Sequence, residues 1–423
     1  MSYIYPAHKE INRGHELHSF FTDENEIQEE KRLYKQDLVG AYFNNWIAEF
    51  RESENPIREW ATLFWHQHIP CTGRGQNNVF NLEQNYLTWE MYRRNSLGNF
   101  RVILTDYYQN PSSMYFLGIH RNYKENPNQN FARELLELYT LGPGNYTEKD
   151  VREIARCFTG LHFEKKDAYF QKAYRVESQF DSGVKEILGK RGNFYPEDVI
   201  DIILEKPECA SFIAQKAVYF FMGEGTSVGF QKECGKVYYE SNYDFSALLT
   251  FMYDHSESNN NKLRRVKSPI EHLVFFQRDL EIKTVGQKTN GWLLRKWGQY
   301  PLSPWTVKGW PTGENWLVGE YLLHRTFLPP VLLEIANRKN AKNSMTYKVQ
   351  SRLYHFNFRE IRYLLDAEWN EDKFSEKLSY LDKSLNQYLL GSSKADDRNL
   401  VECLTSPDYQ YFNPVEKKRL FKN

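Results

Sequence analysis

Two histidines, His66 and His68, stand in Phe64-Trp65-His66-Gln67-His68, an aromatic stretch followed by Ile69-Pro70. Two imidazoles presented together offer the nitrogen donors that a zinc-type or other divalent transition metal prefers, although a complete site needs a third or fourth ligand. On a helix, residues two apart diverge by about 200°, so the pair shares a face only where the backbone is extended. Because Ile69-Pro70 closes the helical pattern, an extended pair is the arrangement expected if His66 and His68 are metal ligands. The competing reading is two buried histidines held by ring packing and hydrogen bonds.

Further chemistry could come from carboxylates. Glu134 and Glu137 are adjacent on one helix face at i and i+3, and Arg133 precedes Glu137 by four. One carboxylate could ligate a metal and the other act as general base, with Asp150 or Asp181 as a further ligand and Arg133 and Asn130 on the substrate. In the structural reading, Arg133 pairs with Glu137 in the interior, while Asn128 and Asn130 satisfy backbone groups at the helix start. Asp181-Ser182-Gly183-Val184-Lys185 adds an acid and an amine, Asp181 and Lys185, on a tight turn whose spacing does not make a phosphate cradle. Trp305, Trp310 and Trp316 offer flat faces for sugar stacking or core packing, which makes Trp310 and Trp316 the substrate-binding candidates of that segment. No G-x-S-x-G nucleophile elbow occurs.

The elements that must position these groups are mostly helices. Apolar residues recur at helical spacing from Leu33 to Phe50, Pro56 opens the next helix, and further helices follow at Leu82 to Arg94 and Phe100 to Tyr108, the latter halted by Asn110-Pro111. The segment Asn130 to Leu141 stops at Gly142-Pro143-Gly144, and Thr147 to Asp150 has the form of a capping box. Short alternation between Leu161 and Phe180 predicts a small β-hairpin inserted in the helical frame. Helices resume at Pro196 to Leu204, Pro207 to Phe221, Val228 to Tyr239, Asp244 to Met252 and Pro269 to Asp279. Gly298 to Trp316 is a Pro/Gly/Trp-rich loop of a kind that is often functional. The fold class expected is therefore mainly α: a polar arm over residues 1–26, a large helical core domain over 27–330 carrying the hairpin and the aromatic loop, and a C-terminal helical cap over 331–423.

Composition narrows the function classes. Lysine plus arginine and aspartate plus glutamate stand at 55 each, which removes the basic surplus of a dedicated nucleic-acid binder. The runs Lys262 to Lys267 and Lys417 to Arg419 are read as solvated faces. Cys71, Cys157, Cys209, Cys234 and Cys403 form no C-x-x-C pair and are expected to be reduced core thiols. Neither a signal-peptide h-region nor an apolar run long enough for a membrane span is visible, so the chain as written is expected in the cytosol, with export open if it is trimmed.

Several motifs occur in order: Phe64 to His68, Asn95 to Phe100, Asn128 to Leu138, Tyr146 to Val151, Ala155 to Gly160, Asp181 to Lys185, Leu188-Gly189, Lys267-Ser268-Pro269 and Val307 to Trp310. Together, over Glu59 to Pro330, they resemble the domain of unknown function 1800 family. Two departures stand out. The family pattern His-Asn-His-Phe is here His66-Gln67-His68-Ile69, and Phe180 occupies the position of a histidine that usually precedes the aspartate of Asp-x-Gly-x-Lys. The resemblance implies a bacterial protein whose activity is not established, and a sulfatase-like partner protein encoded nearby. Two functions stay open: a metal-assisted hydrolase acting on a glycan or other polar substrate, and a non-catalytic helical binding or accessory protein that holds a partner or a glycan.

Overall fold

The computed structural model describes residues 46–52, 56–72, 82–166, 169–170, 173–255, 265–279, 289–318, 321–322, 325 and 411–412. The expected N-terminal arm, the loop 73–78, Lys417 to Arg419 and, apart from Tyr411 and Phe412, the C-terminal cap lie outside the described residues. The protein is mainly α. Besides the helical residues 46–52, the described helices include α1 (Pro56–His68), α2 (Leu82–Asn95), α3 (Phe100–Gln109), α4 (Pro111–Leu117), α5 (Asn130–Glu134), α6 (Glu148–Cys157), α7 (Pro196–Leu204), α8 (Pro207–Met222), α9 (Val228–Glu240), α10 (Phe245–Asp254), α11 (Pro269–Asp279) and α12 (Thr289–Lys296).

Local chemistry explains most boundaries. Asn110 ends α3 by donating its N–H to the Tyr107 carbonyl, and its side chain accepts the Ser112 N–H to begin α4, with Pro111 at the first helical position. The sequence predicts only a stop at Asn110-Pro111; the structure makes the same asparagine a start. Thr147 and Asp150 form the expected capping box at α6, the Asp150 carboxylate receiving the Thr147 N–H at 2.9 Å. Asp244 is a simple N-cap for α10, its carboxylate accepting the Ala247 N–H.

The predicted hairpin is present as two nested antiparallel pairs. Strand β1 (Leu161–His162) pairs with β4 (Tyr174–Arg175), and β2 (Lys165–Lys166) with β3 (Tyr169–Phe170). A second small hairpin, β5 (Lys185–Ile187) with β6 (Lys190–Gly192), follows it, and β7 (Arg265–Val266) pairs with the distant β8 (Tyr411–Phe412).

One apolar core runs through the described helices, from Trp46 in the helical segment 46–52 to Leu302, and the aromatic surplus is spent there. Phe64 stacks on Phe245, Trp65 on Phe100, and Trp46 meets Trp89 edge to face at 4.2 Å. Helices α8 and α9 approach closely because Gly235 has no side chain: a Cβ there would lie 3.0 Å from the Ser211 Cα. Cys71, Cys157, Cys209 and Cys234 are buried and unpaired, as expected; Cys403 lies outside the described residues. Among the described residues no helix is long and apolar enough to cross a membrane.

Candidate functional site

Helix α5 continues directly into a π-helix over Leu135–Thr140, an under-wound turn that is uncommon and often found near functional sites. The widened turn ends with the Leu141 and Gly142 N–H groups both on the Leu136 carbonyl, so the Leu138 and Tyr139 carbonyls need partners from outside the helix. Lys216 donates to the Leu138 carbonyl at 3.0 Å, and His68 Nε2 lies 2.9 Å from the Tyr139 carbonyl. A carbonyl only accepts, so His68 carries its proton on Nε2, and Nδ1 is left as an acceptor with no partner among the described residues. Burial, then the nearby Lys216 charge, push the His68 pKa well below its ordinary value, so this tautomer stays neutral.

His68 and Lys216 stand on the wall of a cavity of about 580 Å³. Helix α1 supplies Phe64, Gln67 and His68, and α8 supplies Phe212, Gln215, Lys216, Tyr219 and Phe220. The α8 set falls at i, i+3, i+4, i+7 and i+8, one helix face, while Ile213, Ala214, Ala217, Val218 and Phe221 turn into the core. The loop 298–316 closes the opposite side with Lys308, Trp310 and Trp316. Two hydrogen bonds tie that loop to α1. Gln67 donates to the Trp310 carbonyl at 2.8 Å, and His66 Nε2 accepts the Leu302 N–H at 3.0 Å, pinning a residue whose φ is +52°. Gly309 makes the approach feasible: its φ is +90°, and a Cβ would meet the Gln67 carbonyl oxygen at 2.6 Å.

The floor is ionic. Arg265 and Glu271 form a buried bidentate pair, and Glu271 also accepts the Ser268 N–H while Ser268 Oγ receives the Glu271 N–H, a reciprocal cap for α11. The sequence reads the run ending at Lys267 as a solvated face. The structure corrects this: Arg265 and Lys267 are both buried, the first on Glu271 and the second over the Phe275 ring, while Lys262 to Arg264 lie outside the described residues.

The two histidines do not share a face. Both belong to α1, which runs through His68, so the extended backbone expected at this point is not adopted. His66 sits among Trp89, Tyr92 and Trp310 with its Nε2 lone pair committed to Leu302, whereas His68 stacks on Phe64 and turns to Tyr139. This arrangement does not fit a metal held jointly by His66 and His68, and no group of three or more His, Cys, Asp or Glu side chains is placed to hold one among the described residues.

The other nominated residues divide as follows. Trp310 and Trp316 line the cavity, and Trp305 is exposed beside them. Glu134, half-buried, is not on the lining, but its carboxyl feels Lys308; burial and then Glu137 raise its pKa. Glu137 accepts from the Tyr146 hydroxyl at 3.2 Å. Arg133 does not pair with Glu137 as the i, i+4 spacing suggests: it reaches Glu148 on α6 in a bidentate pair at 2.6 and 2.8 Å on the surface. Arg133→Ala is therefore expected to leave the unfolding free energy in urea close to wild type, since exposed pairs contribute little. A large loss would place that pair in the interior after all. Asn130 donates to the Leu117 carbonyl and its N–H is received by Asn128, the backbone-satisfying role expected of the two. Asp181 is held by Arg156 at 2.7 Å, and the buried Lys185 donates to the Asp181 and Gly183 carbonyls; both lie outside the cavity lining.

The sequence motifs thus fall in two classes. Gln67, His68, Ser268, Lys308 and Trp310 bring their motifs to the cavity, and Asn128 to Leu138 and Asp181 to Lys185 build the frame around it. A family model described as a protein of unknown function (DUF1800) matches residues 6–411. The chain belongs to this family. The match extends well beyond the motif-bearing stretch Glu59 to Pro330, to nearly the whole chain. No curated protein and no solved structure matches it.

The residues sequence reasoning missed are the α8 face, above all Lys216, and the Arg265–Glu271 pair. The i, i+3, i+4, i+7, i+8 run of Phe212 to Phe220 was available as a signal, because a second patterned face on a helix whose other face is apolar implies that both are covered.

Proposed function

We propose that the protein binds a saccharide in this cavity and serves as a non-catalytic glycan-binding or accessory protein. The observation that carries the reading is the composition of the wall. The half-buried rings of Phe212 and Phe220, backed by the buried Phe64, Trp310 and Trp316, border a space within the roughly 300–1,000 Å³ typical of ligand sites. Beside them stand a lysine amine, several side-chain amides and the acceptor nitrogen of a neutral histidine. A sugar ring presents apolar C–H faces to aromatic rings and a rim of hydroxyls that both donate and accept. The sulfatase-like partner implied by the resemblance belongs to the same proposal, as the protein that would act on the glycan held here.

The test is binding of the purified chain to an array of neutral and acidic saccharides, followed by titration of the hits through tryptophan fluorescence. Wild type is expected to bind, and Trp316→Leu and Phe212→Ala each to weaken binding by about tenfold, or about 1.4 kcal/mol. Circular dichroism on each variant separates lost binding from lost fold. Folded wild type that binds no saccharide would sink the proposal.

A hydrolytic role has one observation in its favour, the raised carboxyl of Glu134 close enough to Lys308 to feel its charge, which suits a general acid. Release of new reducing ends from a bound glycan, abolished by Glu134→Gln with binding retained, would promote that role over simple binding. Its absence leaves the binding reading as stated.

A further inference from the structure

We propose that the saccharide is acidic and that its anionic group, a carboxylate or a sulfate, is recognised by Lys216, with Lys308 as a second cation. This rests on the saccharide reading above and adds the charge class of the ligand. The charged residues on the cavity wall are three cations, Lys216, Arg265 and Lys308, and one carboxylate, Glu271. Arg265 and Glu271 satisfy each other in their bidentate pair, which leaves the wall with a cationic surplus from the two lysines.

Lys216 is the decisive group. Its ammonium has three donors, yet the contacts it makes are the Leu138 carbonyl at 3.0 Å and the face of Phe212 at 4.4 Å, with no ion pair among the described residues. A partly desolvated cation is costly to hold without a counter-charge, and burial accordingly lowers the Lys216 pKa to about 8. The neighbouring His68 is neutral and supplies no compensating charge. Capping Leu138 would need only a neutral donor, so the backbone contact does not account for the charge. Lys308 is exposed, its side chain makes no ion pair among the described residues, and Glu134, the carboxylate that feels it, is off the lining, with burial and the like charge of Glu137 disfavouring its ionised form. An anionic group in this partly enclosed, aromatic space would meet an ammonium at reduced dielectric, where the attraction is several times stronger than in water.

The same array and titrations decide the point, with neutral, carboxylated and sulfated saccharides as separate arms and Lys216→Met, Lys216→Arg and Lys308→Met as variants. Acidic saccharides are expected to bind at least about tenfold more tightly than their neutral counterparts, with affinity falling as salt rises. Lys216→Met should remove that preference and Lys216→Arg keep part of it. Lys308→Met changes an exposed side chain and is expected to fold normally, so its smaller, salt-sensitive loss tests the charge argument even if Lys216→Met is unstable. Preference for carboxylated or for sulfated saccharides identifies the anion. Equal binding of neutral and acidic saccharides, or an acidic preference untouched in folded Lys216→Met, overturns the inference while leaving saccharide binding intact. No saccharide binding at all overturns the underlying reading instead.

Discussion

Glu271→Ala is expected to lower the unfolding free energy by about 3–5 kcal/mol, the usual cost of stranding one member of a buried ion pair. Glu271 is 0% and Arg265 5% exposed, so neither group has water to fall back on. Removing the carboxylate takes away the buried bidentate partner of Arg265, and the Phe220 and Val266 carbonyls and the face of Phe220, which it also touches, carry no formal counter-charge. The Arg325 guanidinium, which also feels Glu271 and whose own pKa burial lowers to about 9, would lose that carboxylate too. The Ser268 N–H at the start of α11 loses its acceptor at the same time. The double change Arg265→Met, Glu271→Leu provides the contrast: with both charges replaced by apolar groups of similar bulk, most of the lost stability should return. Urea unfolding of the three proteins measures this. A single variant as stable as wild type would show that Arg265 finds water or another anion in solution.

Acidification is expected to destabilise the protein steeply below about pH 6.5, ahead of the carboxylate range. His66, His68 and His272 are buried, and burial pushes the pKa of each below the ordinary value of 6.5, that of His66 to about 3. For His272, the Arg325 and Lys267 charges add to the effect of burial. Each group is neutral in the native state and protonated in the unfolded chain between its own lowered native pKa and the ordinary value. The unfolded state therefore binds more protons, and stability present above pH 6.5 is lost as pH falls through the window. Each histidine contributes a slope of about 1.4 kcal/mol per pH unit there, so His66 alone accounts for roughly 3 kcal/mol by pH 4.5. Glu59, Glu90 and Glu134 shift the other way, their carboxyls raised first by burial, and so oppose the loss only as pH approaches their own range. The check is urea unfolding between pH 7.5 and 4.5 on wild type and His66→Gln, whose amide oxygen can still accept the Leu302 N–H but does not titrate. The variant should lose about one proton's worth of slope. Parallel profiles would mean that His66 titrates normally in the native state.

Much of the frame was legible locally. Proline at the first turn, Asn, Asp or Thr at the cap, and apolar spacing set the starts of α1, α6, α8, α10 and α11, because capping and propensity act within a few residues. The hairpin after Leu161 was legible for the same reason: strand alternation is itself a local pattern. Where two local patterns compete, the sequence misleads. Arg133 has Glu137 at the preferred i+4 spacing, yet the backbone becomes π-helical from Leu135 and Arg133 reaches Glu148 on the next helix.

What the sequence by itself determined is the helical frame, the family to which the chain belongs, and three candidate residues that reach the cavity, His68, Trp310 and Trp316. The tertiary structure alone decided what those residues face. His66 and His68 look equivalent along the chain, but one turns to the Leu302 N–H, 236 residues away, and the other to the Tyr139 carbonyl, 71 residues away. Arg265 and Lys267 look like surface charges until the core around Phe220, Glu271 and Phe275 closes over them. The physical reason is common to all of these: caps, turns and amphipathic faces are set by neighbours in sequence, whereas burial, counter-charge and the acceptor for a given N–H come from segments that folding alone brings together.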